Sequence, residues 1–261
     1  MESPEQEITQ TLATENPRRG VAPIWHTVLL VAFLLTLSLL NALAPHSGRG
    51  GRSLLPMYGE TMAMEWAMVA YIVWGIRRRG GSLRTLIGGR WQHFEDILMD
   101  VAVAAGFIIA WFLFAGVLTL LLQRLPWFAV GDTSRQIADA KRHLGAVIPQ
   151  TGLEMLAFIG VSLTAGFCEE VIFRGYLQQQ FARWTRSVWI ALPLSALCFG
   201  LSHGYEGGLK MVLVGLLGLG FGLLATWRKS LRPSMMAHAT YDIMAGLLMR
   251  LLFSLPPNAL H

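Results

Sequence analysis

Charged residues are scarce in this chain, and cysteine is nearly absent. Only 14% of the 261 residues are charged, 54% are hydrophobic, and the mean hydropathy is +0.48. This composition excludes an ordinary soluble domain and is typical of proteins with several membrane-spanning helices. The two cysteines, Cys168 and Cys198, both lie in apolar segments, so a disulfide framework is not expected.

Two other features that would indicate particular functions are missing. The H-E-x-x-H pattern of zinc-dependent proteases does not occur in the sequence, which therefore gives no support to that mechanism. The net charge of +5 does not indicate a nucleic-acid partner, because the basic residues lie between apolar runs, where they set membrane topology. The expected surroundings of the protein are therefore membrane lipid.

Seven apolar runs have about the length that crosses a bilayer. They lie near residues 24–44, 57–76, 98–123, 152–178, 188–204, 209–227 and 233–254. The predicted fold is an all-α polytopic transmembrane helix bundle of about seven to eight spans. The predicted organisation along the chain is a mobile polar N-terminal tail over 1–22, N-terminal transmembrane helices and loops over 23–150, and a transmembrane helical core over 151–254.

The distribution of lysine and arginine predicts the orientation of these spans. With a cytoplasmic N-terminus, 12 of the 21 basic residues fall in inner segments, 7 fall in outer segments, and two lie inside spans. The inner set is Arg18, Arg19, Arg77, Arg78, Arg79, Arg84, Arg90, Arg183, Arg186, Arg228, Lys229 and Arg232. Because cytoplasmic loops carry an excess of positive charge, the N-terminus is predicted inside.

Glu169 and Glu170 form a pair of adjacent carboxylates inside the mostly apolar stretch 151–177. A charge at the centre of a membrane helix costs about 2.5–3.5 kcal/mol on insertion scales, and such residues are usually functional. Glu170 and Arg174 are four residues apart, a spacing that allows an ion pair on one helix. Glu169 has no such local partner, and a carboxylate in an apolar site suits a general base.

Two further polar pairs occur at helical spacing in the later spans. Phe199 and His203 are four residues apart, as are His238 and Asp242, so each pair lies on one helix face. Two histidines and a carboxylate from different helices can bind a divalent metal such as Zn²⁺ with an open coordination position, with His203 and His238 as candidate ligands. The same residues can activate a water directly, without metal, and the sequence leaves both alternatives open.

These residues form three ordered motifs, Glu169-Glu170-x-x-x-Arg174, Phe199-x-x-x-His203 and His238-x-x-x-Asp242. Together they resemble the motifs of the CAAX prenyl protease and bacteriocin-processing family of intramembrane endopeptidases, which includes bacterial Abi-type proteins. The run Phe173-Arg174-Gly175-Tyr176-Leu177-Gln178 is also similar to the bacterial family's extension of the first motif. The resemblance covers roughly residues 150–250.

The resemblance implies a catalytic role for the core at 151–254. Glu169 is implied as the base that activates water, with Glu170 and Arg174 as supporting residues. The implied binding groups for water, metal or oxyanion are His203, His238 and Asp242. An Asp at position 242, where the prenyl-CAAX branch often has Asn, is similar to bacterial members. The function implied is hydrolysis of peptide bonds near the membrane surface, in a bacterial inner membrane, on a lipidated protein or a leader peptide.

Three alternative functions remain open on the sequence. A transporter coupled to ions or protons also uses intramembrane Glu, Asp and His. A non-catalytic immunity or scaffold protein could use the same fold. Gly200-Leu201-Ser202-His203-Gly204 fits G-x-S-x-G, so Ser202 is a candidate nucleophile of a rhomboid-like serine protease with His238 as its base.

Overall fold

The computed structural model describes residues 20–44, 53–122, 124, 148–206 and 208–254. All regular structure within these ranges is helical, and they contain no β-strand. Most of the predicted tail 1–22 and of the connection 124–150 lies outside the described residues. The all-α fold class predicted from composition is confirmed.

Nine α-helices lie within the described ranges. They are α1 (Ile24–Leu43), α2 (Leu55–Arg77), α3 (Leu83–Ile87), α4 (Phe94–Leu122), α5 (Gly152–Glu169), α6 (Gln179–Thr185), α7 (Val188–Ser202), α8 (Gly208–Arg228) and α9 (Arg232–Ser254). A π-helical segment, Glu170–Gln178, joins α5 to α6. Six of the seven predicted spans agree with a helix to within a few residues at each end.

Four of these helical segments are long and apolar enough to cross a membrane. They are Ile24–Leu43, Phe94–Leu118, Gly152–Thr185 and Lys210–Arg228. The 15-residue α7 is too short for this set, and α2 and α9, which carry more polar and charged side chains, are not in it. Apolar helices of this length indicate an integral membrane protein.

The fourth predicted span needs a correction at its C-terminal end. It was expected to end at residue 178, but the helical segment continues to Thr185, for 34 residues in all. Glu169 therefore lies near its middle, about 26 Å from Gly152 at 1.5 Å per residue. The segment also changes to i→i+5 hydrogen bonding directly after Glu169, and π-helical turns inside α-helices are frequent at functional sites.

The start of α5 is fixed by a reciprocal cap. The Thr151 side chain accepts a hydrogen bond from the backbone N–H of Glu154, and the Glu154 carboxylate accepts one from the backbone N–H of Thr151. The same carboxylate accepts a hydrogen bond from the backbone N–H of Leu54, at 3.1 Å, just before α2 begins. One buried side chain thus satisfies backbone donors at the beginning of two helices.

The chain divides into two compact units, each assembled from segments far apart in sequence. The first comprises Met1–Ala42, Ala70–Gly88 and Val171–Leu223; the second comprises Leu43–Val69, Gly89–Glu170 and Leu224–His261.

A chain of buried hydrogen bonds holds α1 to the π-helical segment in the first unit. His26 Nε2 lies 2.9 Å from the Tyr71 carbonyl oxygen and therefore donates to it, which leaves Nδ1 to accept from the Tyr176 hydroxyl at 2.7 Å. Thr27 Oγ1 lies 2.7 Å from the same hydroxyl and accepts from the Gln180 amide at 3.0 Å. Each donor in this chain meets an acceptor, as a buried polar network requires.

Glycines allow close helix contact elsewhere in the first unit. A Cβ on Gly200 would meet the Met211 carbonyl oxygen at 2.8 Å, so α7 and α8 pack closely there. Gly218 leaves room for the side chains of Phe199 and Arg174, and Gly222 leaves room for Gln178. Both glycines therefore make room for side chains of neighbouring helical segments.

The second unit pairs α5 with α2 on one side and with α9 on the other. Tyr58 meets Phe158 with ring centroids 5.9 Å apart, and Trp66 stacks on Phe167 at 5.4 Å, so α2 and α5 run parallel. Against α9 the contacts run in the opposite order, with Gly166 beside Ala239 and Gly246 beside Phe158. These contacts position the acidic end of α5.

Candidate functional site

His238 lies at the centre of the candidate site, and its Nδ1 is held by Glu170. The Nδ1–Oε1 distance is 3.1 Å, His238 is 5% exposed, and Glu170 is fully buried. Because a carboxylate oxygen only accepts, Nδ1 carries the donated proton. This bond joins α9 to the end of α5 and fixes the plane of the imidazole.

The other ring nitrogen of His238 faces two carboxylates. Nε2 lies 3.7 Å from Glu169 Oε2 and 3.6 Å from Asp242 Oδ2, distances within ion-pair range but longer than a direct hydrogen bond. The side chains of Glu169 and Asp242 are 19% and 30% exposed, so both are more accessible than Glu170. Glu169 and Glu170 thus lie near opposite nitrogens of one imidazole. Because adjacent helical residues point about 100° apart, the two carboxylates approach the ring from different sides and differ in role.

The close approach of α5 to α9 depends on a glycine one turn before these carboxylates. A Cβ on Gly166 would lie 2.7 Å from the Ala239 Cβ and 2.9 Å from the Met235 carbonyl oxygen. Ala239 directly follows His238, so the absence of a side chain at 166 sets the distance between the imidazole and its carboxylates. The sequence analysis did not identify Gly166, because a single glycine in an apolar run carries no signal of its partner.

A further carboxyl group, from Glu65 of α2, lies close enough to this cluster to interact with it electrostatically. Its electrostatic neighbours include Glu169, His238 and Asp242, and its side chain is 5% exposed. Glu65 was not among the site residues predicted from the sequence. An acidic residue inside the predicted span 57–76 was the signal that could have found it, since intramembrane carboxyl groups are costly.

Arg174 lies in the first unit, inside a group of aromatic rings. Its guanidinium carbon is 4.3 Å from the ring centroid of Phe199, 5.3 Å from that of Phe221, and 5.9 Å from that of Phe173. Nη2 donates to the Gly218 carbonyl oxygen at 2.9 Å. These cation–π and hydrogen-bond contacts fix a buried arginine, and its predicted ion pair with Glu170 stays a prediction.

His203 also lies in the first unit, at the C-terminal end of α7. Its Nδ1 donates to the Phe199 carbonyl oxygen at 2.9 Å, and its ring meets the Phe199 ring edge-on at 4.8 Å. The predicted placement of these two residues on one face is confirmed. In the neutral ring, this bond leaves Nε2 as the acceptor of His203.

The arrangement of the donor groups bears on the metal alternative. Among the described residues, no group of three or more His, Cys, Asp and Glu side chains is arranged to hold a metal ion. The two predicted ligands, His203 and His238, belong to different units. The donor geometry therefore assigns no step to a metal, and Zn²⁺ binding stays a prediction.

Residues 151–244 match the family model described as Type II CAAX prenyl endopeptidase Rce1-like. The match covers somewhat more than a third of the chain and contains all seven named residues of the three motifs. It confirms the resemblance drawn from those motifs and indicates, in general terms, a CAAX-type intramembrane peptidase. Neither a curated protein nor a solved structure matches the chain.

Proposed function

We propose that this protein is an intramembrane endopeptidase that hydrolyses peptide bonds near the membrane surface by means of a water activated by Glu169. The arrangement around His238 carries the proposal. Glu170 holds Nδ1 at 3.1 Å, while Nε2 lies 3.7 Å from the Glu169 carboxylate and 3.6 Å from that of Asp242. Three polar groups at this spacing suit a bridging water, which needs two to four partners.

In the proposed reaction Glu169 accepts a proton from the water as its oxygen attacks the peptide carbonyl carbon. His238 and Asp242 orient the water, and His238 stabilises the negative charge on the carbonyl oxygen through Nε2 when both of its ring nitrogens carry protons. The proton then passes from Glu169 to the leaving nitrogen as the C–N bond breaks. The role of His203 in this step is supported by the motif resemblance, and that of Arg174 is to fix the helix that follows Glu170.

We also propose the setting of this reaction. The substrate is a membrane-associated peptide or protein, with a lipidated protein and a leader peptide as the two candidate classes. The protein lies in a bacterial inner membrane with its N-terminus in the cytoplasm. The motif style and the distribution of basic residues support this setting.

The first test replaces Glu169 with Gln, which keeps the size of the side chain and removes its basicity. Loss of a general base lowers rates by about 10²–10⁴-fold. Membrane-protein termini are compared in cells that carry wild-type protein or Glu169→Gln at equal abundance. A new terminus found only with wild type is the expected result, and it identifies the substrate.

Two controls separate this mechanism from its rivals. Glu60→Gln changes an exposed carboxylate of α2 and should leave the new terminus unchanged. Ser202→Ala should also retain it, because the Ser202 hydroxyl donates to the Phe199 carbonyl oxygen at 2.8 Å. Loss of cleavage in Ser202→Ala would favour the serine mechanism. Identical termini in all strains, with a phenotype that survives Glu169→Gln, would favour a scaffold or immunity protein.

A further inference from the structure

We propose that Glu65 is a substrate-binding residue of this site, whose buried carboxyl oxygen hydrogen-bonds to the backbone of the bound peptide beside Glu169. The inference rests on the proposed peptidase function. It concerns a residue outside the segment 151–244 that matches the family model.

The packing of α2 on α5 brings Glu65 to the level of the site. Contacts advance along both helices together, from Leu54 with Glu154, through Tyr58 with Phe158, to Trp66 with Phe167. A stacked pair of large rings at 5.4 Å fixes the rotation of α2 at the residue after Glu65. Glu65 is therefore held in place by neighbours on its own helix.

One oxygen of Glu65 is buried without a partner. Oε2 has almost no exposed surface and no hydrogen-bond partner among the described residues, and the whole side chain is 5% exposed. Buried polar atoms are nearly always hydrogen-bonded, because removing one from water without a partner costs free energy. An unpaired buried oxygen of a carboxyl group that neighbours Glu169 and His238 indicates a partner supplied by what binds there.

The neighbouring side chains do not offer that partner. Glu169 and Asp242 are electrostatic neighbours of Glu65 but neither hydrogen-bonds to Oε2, and His238 Nδ1 is already bonded to Glu170. A further negative charge beside these carboxylates is unfavourable. A hydrogen-bonding role, by contrast, needs no charge on Glu65.

A peptide backbone fits this requirement. A bound peptide must be extended for attack on its carbonyl group, and its N–H and C=O groups then lose the bonds of a helix. In a membrane interior such groups need partners from protein, because lipid supplies none. An extended peptide beside Glu169 therefore provides the hydrogen-bond partner that the unpaired oxygen of Glu65 lacks, and Glu65 provides a partner for the peptide backbone.

The test compares Glu65→Leu with Glu65→Gln. Leucine cannot hydrogen-bond, so the yield of the wild-type-specific terminus should fall by about 10²-fold, as when one hydrogen bond to a reacting group is removed. The amide of glutamine can donate and accept, so Glu65→Gln should recover cleavage to within about tenfold of wild type. Glu60→Leu, an exposed position on the same helix, is the matched control.

Thermal unfolding of the purified variants separates binding from folding. Since Glu65→Leu removes an unpaired buried polar atom, its midpoint should equal or exceed that of wild type although cleavage falls. A residue with only a structural role would lose stability and activity together, and that result would overturn the proposal. Wild-type cleavage in Glu65→Leu would overturn it too, and it would mean that Oε2 bonds only to water.

The results also distinguish this inference from the proposed function. If Glu65→Gln is as inactive as Glu169→Gln, Glu65 acts through its charge and the hydrogen-bonding role is wrong, while the peptidase function stands. If Glu169→Gln is active, or if wild type creates no terminus, the proposed function itself fails and this inference fails with it.

Discussion

Glu170 holds one nitrogen of His238 with a side chain that is fully buried. Removing one member of a buried hydrogen bond leaves the other without a partner, at a cost of about 1–3 kcal/mol. In the proposed mechanism Glu170 therefore acts through the imidazole, by fixing which nitrogen faces Glu169. This separates it from Glu169, although the two are adjacent in sequence.

Glu170→Ala should lower the free energy of unfolding by about 1–3 kcal/mol and should also reduce the yield of the cleaved terminus. In Glu170→Gln the amide oxygen still accepts from Nδ1, so this variant should recover part of the lost free energy of unfolding and part of the lost cleavage. Thermal unfolding in detergent and quantification of the terminus measure the two effects. Equal losses in the Ala and Gln variants would contradict the hydrogen-bonding role.

The residues of the motifs could be predicted because charged and imidazole groups are costly in apolar helices. Glu169, His238 and Asp242 were predicted together and lie together around one ring. Glu65 has no motif, and its relevance depends on how α2 is rotated against α5. That rotation is set by ring packing between residues about 100 positions apart, which one sequence does not display.

At the scale of the helix, the two interior glycines of α5, Gly160 and Gly166, have opposite surroundings. A Cβ on Gly166 would meet Ala239 and the Met235 backbone, whereas a Cβ on Gly160 would meet nothing within 4 Å. Both positions are helical, so alanine offers the same gain in helix propensity, up to about 1 kcal/mol, at each. The difference between the two substitutions therefore reports helix contact alone.

Gly160→Ala should leave the unfolding midpoint unchanged or raise it, and cleavage should be retained. Gly166→Ala should lower the midpoint and reduce cleavage, because α9 must move away and carry His238 from its carboxylates. Both quantities are measured side by side in the two variants. A Gly166→Ala protein with normal activity would show that the distance between α5 and α9 is not critical.

The ends of most helices could be predicted from apolar length and flanking charge, but the π-helical segment could not. Its turns differ from α-helical turns in which backbone groups pair, and the side chains of Glu170–Gln178 carry no pattern that records this choice. The true end of the segment at Thr185 was also not predicted. Residues beyond 178 are more polar, which suggested that the helix had ended, but they belong to the same helical segment and several of them are partly buried.

At the scale of the whole chain, helix directions inside each unit agree with a chain that crosses the membrane back and forth. In the second unit α2 and α5, the second and fourth predicted spans, run parallel, and α9, the seventh, runs opposite to α5. In the first unit α7 and α8 run opposite to each other. If successive spans cross the membrane in alternating directions, each of these parallel and antiparallel arrangements is required, whichever side the N-terminus occupies.

Cysteine labelling should decide the orientation. In a background with Cys168 and Cys198 replaced by Ala, Ser53→Cys and Arg79→Cys place thiols at exposed positions beyond the two ends of α2. With the N-terminus inside, an impermeant reagent should label position 53 in intact cells and position 79 only after permeabilisation. The reverse pattern would invert the topology.

The hydrogen bond from the Leu54 backbone to Glu154 spans 100 residues of chain. At about 5–20 residues per second, a ribosome needs roughly 5–20 s to travel that distance. During that interval α2, with Glu60 and Glu65, has already reached the bilayer or its surface, whereas α5, the helix on which it packs, has not yet been synthesised. Its early position is therefore provisional, and the synthesis of Glu154 determines when the beginning of α2 becomes fixed.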